Sequence, residues 1–85
     1  MQYSFTPHGV CAREIYLDIN ENDETINEIK FIGGCAGNTQ GVAALVKGRK
    51  IDEVIGLIKG IDCAGRGTSC PDQLAQALEA ISEEL

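Results

Sequence analysis

Cys11-Ala12-Arg13-Glu14-Ile15-Tyr16-Leu17-Asp18-Ile19, followed after a polar interruption by Ile29-Lys30-Phe31-Ile32-Gly33, is the stretch that decides the fold. Cys11, Ile15, Leu17 and Ile19 are apolar at odd positions, whereas Glu14 and Asp18 are even. That is the period of two of a half-buried strand, with Arg13 the exception. Ile29, Phe31 and Gly33 continue the odd face against Glu28 and Lys30 on the even one. The polar residues 20–25 between the two runs make the turn of a hairpin. A turn centred on Asp23 sets Leu17 opposite Ile29 and Ile15 opposite Phe31, and it brings Cys11 opposite Cys35 at the open end. Residues 1–6 supply a third strand.

Beyond Gly33 the period changes. Val42, Leu45 and Val46 fall at helical spacing, with Asn38 as the expected cap and Gly48 as the stop. A second helix is expected from Asp52 as cap to about Lys59, with Ile51, Ile55 and Ile58 on one stripe and Gly60 ending it. The last helix starts at Pro71, a residue suited to the first helical position, and carries Leu74, Ala77, Leu78, Ile81 and Leu85 on one face. Strands first and helices afterwards predict an α+β fold, a two- to three-stranded antiparallel sheet followed by three helices packed on one face. The 85 residues form a single domain, 1–85. The expected core is Ile15, Leu17, Ile29, Phe31, Val42, Ile55, Leu74, Leu78 and Ile81.

A chain of this size buries only roughly 60–65% of its unfolded surface, so a metal, a disulfide or a second subunit would aid its stability. Its 13 acidic and 7 basic residues give a net charge of −6, which repels a phosphate backbone and excludes nucleic acid as a direct partner. The start Met1-Gln2-Tyr3-Ser4 has no basic and apolar leader, and no apolar run approaches the ~18 residues that span a bilayer. A cytoplasmic location is expected, with no membrane partner. In that reducing compartment Cys11, Cys35, Cys63 and Cys70 read as thiols, metal ligands or redox centres rather than structural disulfides.

Cys70 precedes Pro71 at the start of the last helix, where unpaired N–H groups and the helix dipole favour a thiolate. Either Cys70 uses that position chemically, or Thr68 or Ser69 makes the cap and Cys70 is a small buried side chain. Cys35 lies in Gly33-Gly34-Cys35-Ala36-Gly37, a strand-to-helix loop that bends closely around the sulfur or is simply a tight turn. Cys11 begins a strand, and Cys63 sits seven positions before Cys70 as a fourth ligand or a resolving thiol. No pair has the C-x-x-C spacing of a zinc knuckle, so the register carries the metal reading more than the spacing does. Gly65-Arg66-Gly67 offers a nest for an anion, with Arg66 as the charge, or a flexible glycine loop. His8, between Pro7 and Gly9, reads as a solvated turn residue with a ligand role in reserve. Glu21, Asp23 and Glu24, like Glu79, Glu83 and Glu84, read as a solvated surface.

The string Thr68-Ser69-Cys70-Pro71-Asp72, together with Gly34-Cys35 and Lys47-Gly48, resembles the TSCPD domain over essentially the whole chain. That resemblance implies kinship with the module at the end of cobalamin-dependent ribonucleotide reductases. It also implies the labels of that enzyme: ribonucleoside-diphosphate reductase, oxidoreductase, DNA synthesis and nucleotide binding. The catalytic barrel with its radical and active-site cysteines is absent, so no intrinsic reductase activity is expected, and cobalamin is not bound by this chain alone. From Cys11 onward the order of features is also similar to the U-type iron-sulfur scaffold proteins and their fold. Cys11, Cys35 and Cys70 take the positions of that family's three cysteine ligands. Two departures stand out: the scaffold's aspartate near its first cysteine is replaced around Arg13, and the histidine before its last cysteine is Ser69.

These readings converge on a non-catalytic accessory module related to ribonucleotide reductase, with a zinc or iron-sulfur site at Cys11, Cys35 and Cys70 and with Cys63 within reach. Its expected partner is a ribonucleotide reductase, another protein or a second copy of itself. Two alternatives stay open: a thiol redox protein using Cys63 and Cys70, and a structural dimerisation module.

Overall fold

The computed structural model describes residues 1–33, 36–62, 65 and 67–85, excluding the side chains of residues 36–38. The alternating stretch forms two strands, β2 (Ala12–Asn20) and β3 (Thr25–Gly33), joined by a tight turn. Within the turn, Asn22 donates its N–H to Asn20 Oδ1 and Thr25 its hydroxyl to Asp23. Pairing is antiparallel, with Leu17 opposite Ile29 and Ile15 opposite Phe31, the register that a turn centred on Asp23 predicts. A short strand β1 (Gln2–Phe5) runs antiparallel along the other side of β2, giving the sheet order β1-β2-β3.

The ladder slips by one residue at each end of the hairpin. Glu14 pairs with Ile32 and Ala12 with Gly33, so Arg13 is an extra residue on β2. A bulge of this kind reverses the parity of everything beyond it. Ala12 therefore turns into the core at 4% exposure, and Cys11, which strict alternation would bury, is exposed. Gly33 opposite the bulge has a φ of 81°, a conformation that suits glycine. At the turn end, Asp18 pairs with Glu28 and Ile19 with Ile26, which makes Asn27 the extra residue. Ile26, even-numbered, thereby joins odd-numbered Ile29 in the core, and it is fully buried.

Three helices follow: α1 (Ala36–Val46), α2 (Ile51–Ile58) and α3 (Cys70–Glu84). All contribute to one core on one face of the sheet, where Val46, Ile51, Val54, Leu74, Leu78 and Ile81 meet Ile15, Leu17, Ile19, Ile26 and Ile29. The segment between α1 and α2 runs beside the start of β3. Ile26 donates to the Arg49 carbonyl at 2.9 Å, and Gly48 donates to the Ile26 carbonyl at 2.7 Å. Gly48 and Gly60, with φ of 81° and 86°, end the first two helical segments as expected.

The helix starts differ from the sequence expectation. Asn38 lies inside α1, two residues past its start, and Asp52 is in the first turn of α2 rather than before it. Lys50 precedes α2 without any side-chain cap, and Asp52 and Glu53 face the positive end of the helix dipole instead. Phe31, Val42 and Ile55 are half-buried against the core instead of inside it. Leu45, assigned to the apolar stripe of the first helix, is 70% exposed, and Leu85 at the chain end is 45% exposed.

Candidate functional site

The start of α3 is held by a network of side-chain hydrogen bonds. Ser69 has an extended backbone, and its Oγ accepts the N–H of Asp72 at 3.1 Å, so Ser69 is the N-cap and Cys70 is the first helical residue. Pro71 fits the first turn because its missing N–H would have had no intrahelical partner. The position expected of Cys70 therefore shifts from the cap into the helix, and of the two alternatives the cap belongs to Ser69. Replacing Ser69 with alanine should lower stability by about 1 kcal/mol, read from urea denaturation. Loss of helix signal without a shift in the denaturation midpoint would contradict that role.

Asp72 is 7% exposed, and its carboxylate has three donors. The Gly60 N–H reaches one oxygen at 2.7 Å; the Thr68 hydroxyl at 2.5 Å and the Gln76 amide at 3.1 Å reach the other. Donation by Thr68 and by the Gly60 N–H holds this carboxyl below its ordinary value, against the opposing effect of burial, with smaller help from Gln76 and Lys59. Gln73 is also buried. Its amide nitrogen donates to Thr68 Oγ1 at 2.9 Å, and its carbonyl oxygen accepts the N–H of His8 at 3.0 Å. Among the described residues no buried side-chain N or O is left without a partner. Asp72 and Gln73 were not singled out in the sequence, although Ser69-x-x-Asp72 ahead of an apolar run is the spacing of a capping box. Here the aspartate turns to Gly60 and Thr68, fastening the end of α2 to the start of α3.

The bond from His8 also fastens the loop that leads into β2. Gly9 sits against Thr68 so closely that a Cβ there would lie 3.2 Å from its methyl group. Cys11 thus follows a loop that meets Thr68 and Gln73, on either side of Cys70. Cys70 is half-buried and Cys11 exposed. The imidazole-bearing residue His8 is exposed, as its turn sequence implies. Cys35, Cys63 and Arg66 lie outside the described residues, and with them the expected pairing of Cys11 with Cys35. Among the described residues no group of three or more His, Cys, Asp or Glu side chains is gathered to hold a metal. At the glycine loop, Asp62 accepts the N–H groups of Gly65 at 2.7 Å and Gly67 at 2.5 Å. The N–H groups of these two glycines are thus directed at a carboxylate of the chain itself.

A small antiparallel sheet carrying three helices, with the Thr68-Ser69-Cys70-Pro71-Asp72 string locking the last helix in place, defines the class of protein. The chain belongs to the TSCPD family: the family model described as TSCPD domain matches residues 1–82. Neither a curated protein nor a solved structure matches the chain. No helix of the described residues is long and apolar enough to cross a membrane.

Proposed function

We propose that the chain is a non-catalytic accessory module, related to the TSCPD domain of ribonucleotide reductases, which uses Cys11, Cys35 and Cys70, with Cys63 in reach, to hold zinc or an iron-sulfur cluster. The observation that carries this reading is the division of labour within the motif. Thr68, Ser69, Pro71 and Asp72 are spent on fixing the start of α3, whereas Cys70 contributes none of those side-chain hydrogen bonds. A thiol at a rigidly held position, beside a loop that leads to a second cysteine, is the donor chemistry that soft metals take. A metal bound there would supply a crosslink between β2 and α3, which suits a chain too small for a large core. In this reading the reductase chemistry belongs to a partner enzyme.

Anaerobic purification followed by metal analysis and visible absorbance tests the reading. About one metal or cluster per chain is expected, lost when Cys70 becomes serine. Since Ser69 and not Cys70 caps the helix, the variant should keep its helix content, so metal loss reports the ligand alone. Unchanged metal content in Cys70→Ser rejects the ligand role. A metal-free wild type with a readily oxidised Cys63 and Cys70 pair transfers the function to thiol redox exchange.

A further inference from the structure

We propose that the groove between α1 and α2 is a docking site for an acidic, apolar-rich segment of a protein partner. Its floor is Val46, Val54 and Ile58, and its walls are Leu45 and Leu57, with Arg49 at the rim, around a volume of about 190 Å³. Single exposed leucines are ordinary on a small protein, but Leu45 and Leu57, 70% and 65% exposed, stand on two different helices and flank one cleft. Neither contributes to the buried core, so core packing does not account for them.

Charge identifies the occupant. Of the seven basic residues, Lys47, Arg49, Lys50 and Lys59 fall within residues 47–59, which hold only two of the thirteen acidic ones, Asp52 and Glu53. This stretch therefore carries +2, and the rest of the chain −8 of the net −6. All four basic residues are exposed. Arg49 touches Glu53 and the Leu45 carbonyl, and Lys59 touches Glu79 at 2.9 Å; surface pairs of this kind are weak and easily exchanged. An apolar cleft with Arg49 in its lining, set in a basic stretch of an otherwise acidic protein, fits an amphipathic helix whose Leu, Ile, Phe or Met anchors enter the cleft and whose Asp and Glu meet Arg49. The proposal is independent of the cysteine site, because the groove contains none of its residues.

Selection of a random dodecapeptide display library on the folded chain at low salt is the test. Enriched peptides should be rich in Asp and Glu, with apolar residues at i, i+3 or i+4 spacing, and a representative should bind less tightly as salt is raised. Leu57→Ser should weaken that peptide by about tenfold or more, as loss of a central apolar anchor does. Arg49→Gln should weaken it less and reduce its salt dependence, with circular dichroism unchanged in both variants. Metal content should not differ between wild type and Leu57→Ser, which separates this test from that of the cysteine site. The proposal is overturned if no peptide is enriched, if the enriched peptides are neutral or basic, or if neither variant changes binding. It is equally overturned if the wild type sediments as a dimer that Leu57→Ser makes monomeric, for then a second copy fills the groove.

Discussion

Replacing Asp72 with alanine lowers the unfolding free energy by about 3 kcal/mol at neutral pH, because the N–H of Gly60, the hydroxyl of Thr68 and the amide of Gln76 all lose a charged acceptor at a part-buried junction. For a domain of this length that is a fall in Tm of about 12–24 °C. Asparagine in its place keeps one acceptor oxygen but turns an NH₂ toward a donor, so Asp72→Asn should fall between wild type and alanine. Acid distinguishes the carboxylate from the amide. The folded chain holds this carboxyl below the ordinary 3.8, so at moderately acidic pH the unfolded chain binds more protons there than the folded one. The contribution is whole above that ordinary value and is lost as pH falls through the lowered folded value. The stability difference between wild type and Asp72→Asn should therefore be constant from about pH 7 to pH 5 and shrink below about pH 4. Urea denaturation of both proteins across that range is the measurement. A difference that persists undiminished into strong acid would mean that the charge of Asp72 contributes nothing.

The alternation of Ile15, Leu17 and Ile19 against Glu14 and Asp18 set which face is buried, because a shift by one residue would have moved that whole apolar set into water, and the turn centred on Asp23 chose the central register among those of the same parity. What alternation cannot reveal is an extra residue. Arg13 stood out as a polar side chain on the odd face of β2, and it is the bulge residue; Asn27 is likewise polar at an odd position, but it precedes the run Ile29, Phe31 and Gly33 from which the alternation of β3 was read. Both bulges alter parity, so Ala12 and Ile26 entered the core unforeseen and Cys11 left it. The helix starts were less legible for a related reason. Asn38 and Asp52 are good cap residues by type, yet the chain begins α1 and α2 where tertiary packing brings Val46, Ile51 and Val54 onto the sheet.

The candidate site divides along the same line. Thr68-Ser69-Cys70-Pro71-Asp72 was visible as a family signature, and the start of a helix at Pro71 was one residue from the observed start. The partners of Asp72 were not visible, since Gly60 is twelve positions away and offers only its backbone N–H. Likewise Gln73 meets His8 across 65 positions, through the main chain of a loop whose sequence gives no sign of it. The motif thus carries two kinds of information. Its polar letters encode how α2, α3 and the loop before β2 are joined, and its cysteine is placed by that junction.

Truncating Leu78 to alanine should have an effect of the same order through a wholly different cause. Leu78 is fully buried at the middle of α3, in the cluster that joins the helix to Ile15 and Leu17 of β2. Removing its isobutyl group costs the transfer free energy of the lost atoms and leaves a cavity, about 2–5 kcal/mol together. A domain of 85 residues has a total stability of roughly 4–13 kcal/mol, so a large part of the native margin is at stake. Leu57, on α2 and 65% exposed, provides the control: its truncation should change stability by no more than about 0.5 kcal/mol, since it leaves no cavity. Thermal denaturation of the pair reads both outcomes. Equal shifts for Leu57→Ala and Leu78→Ala would contradict the placement of α3 on the sheet, whereas a large loss at Leu78 alone fixes that helix as the lid of the core.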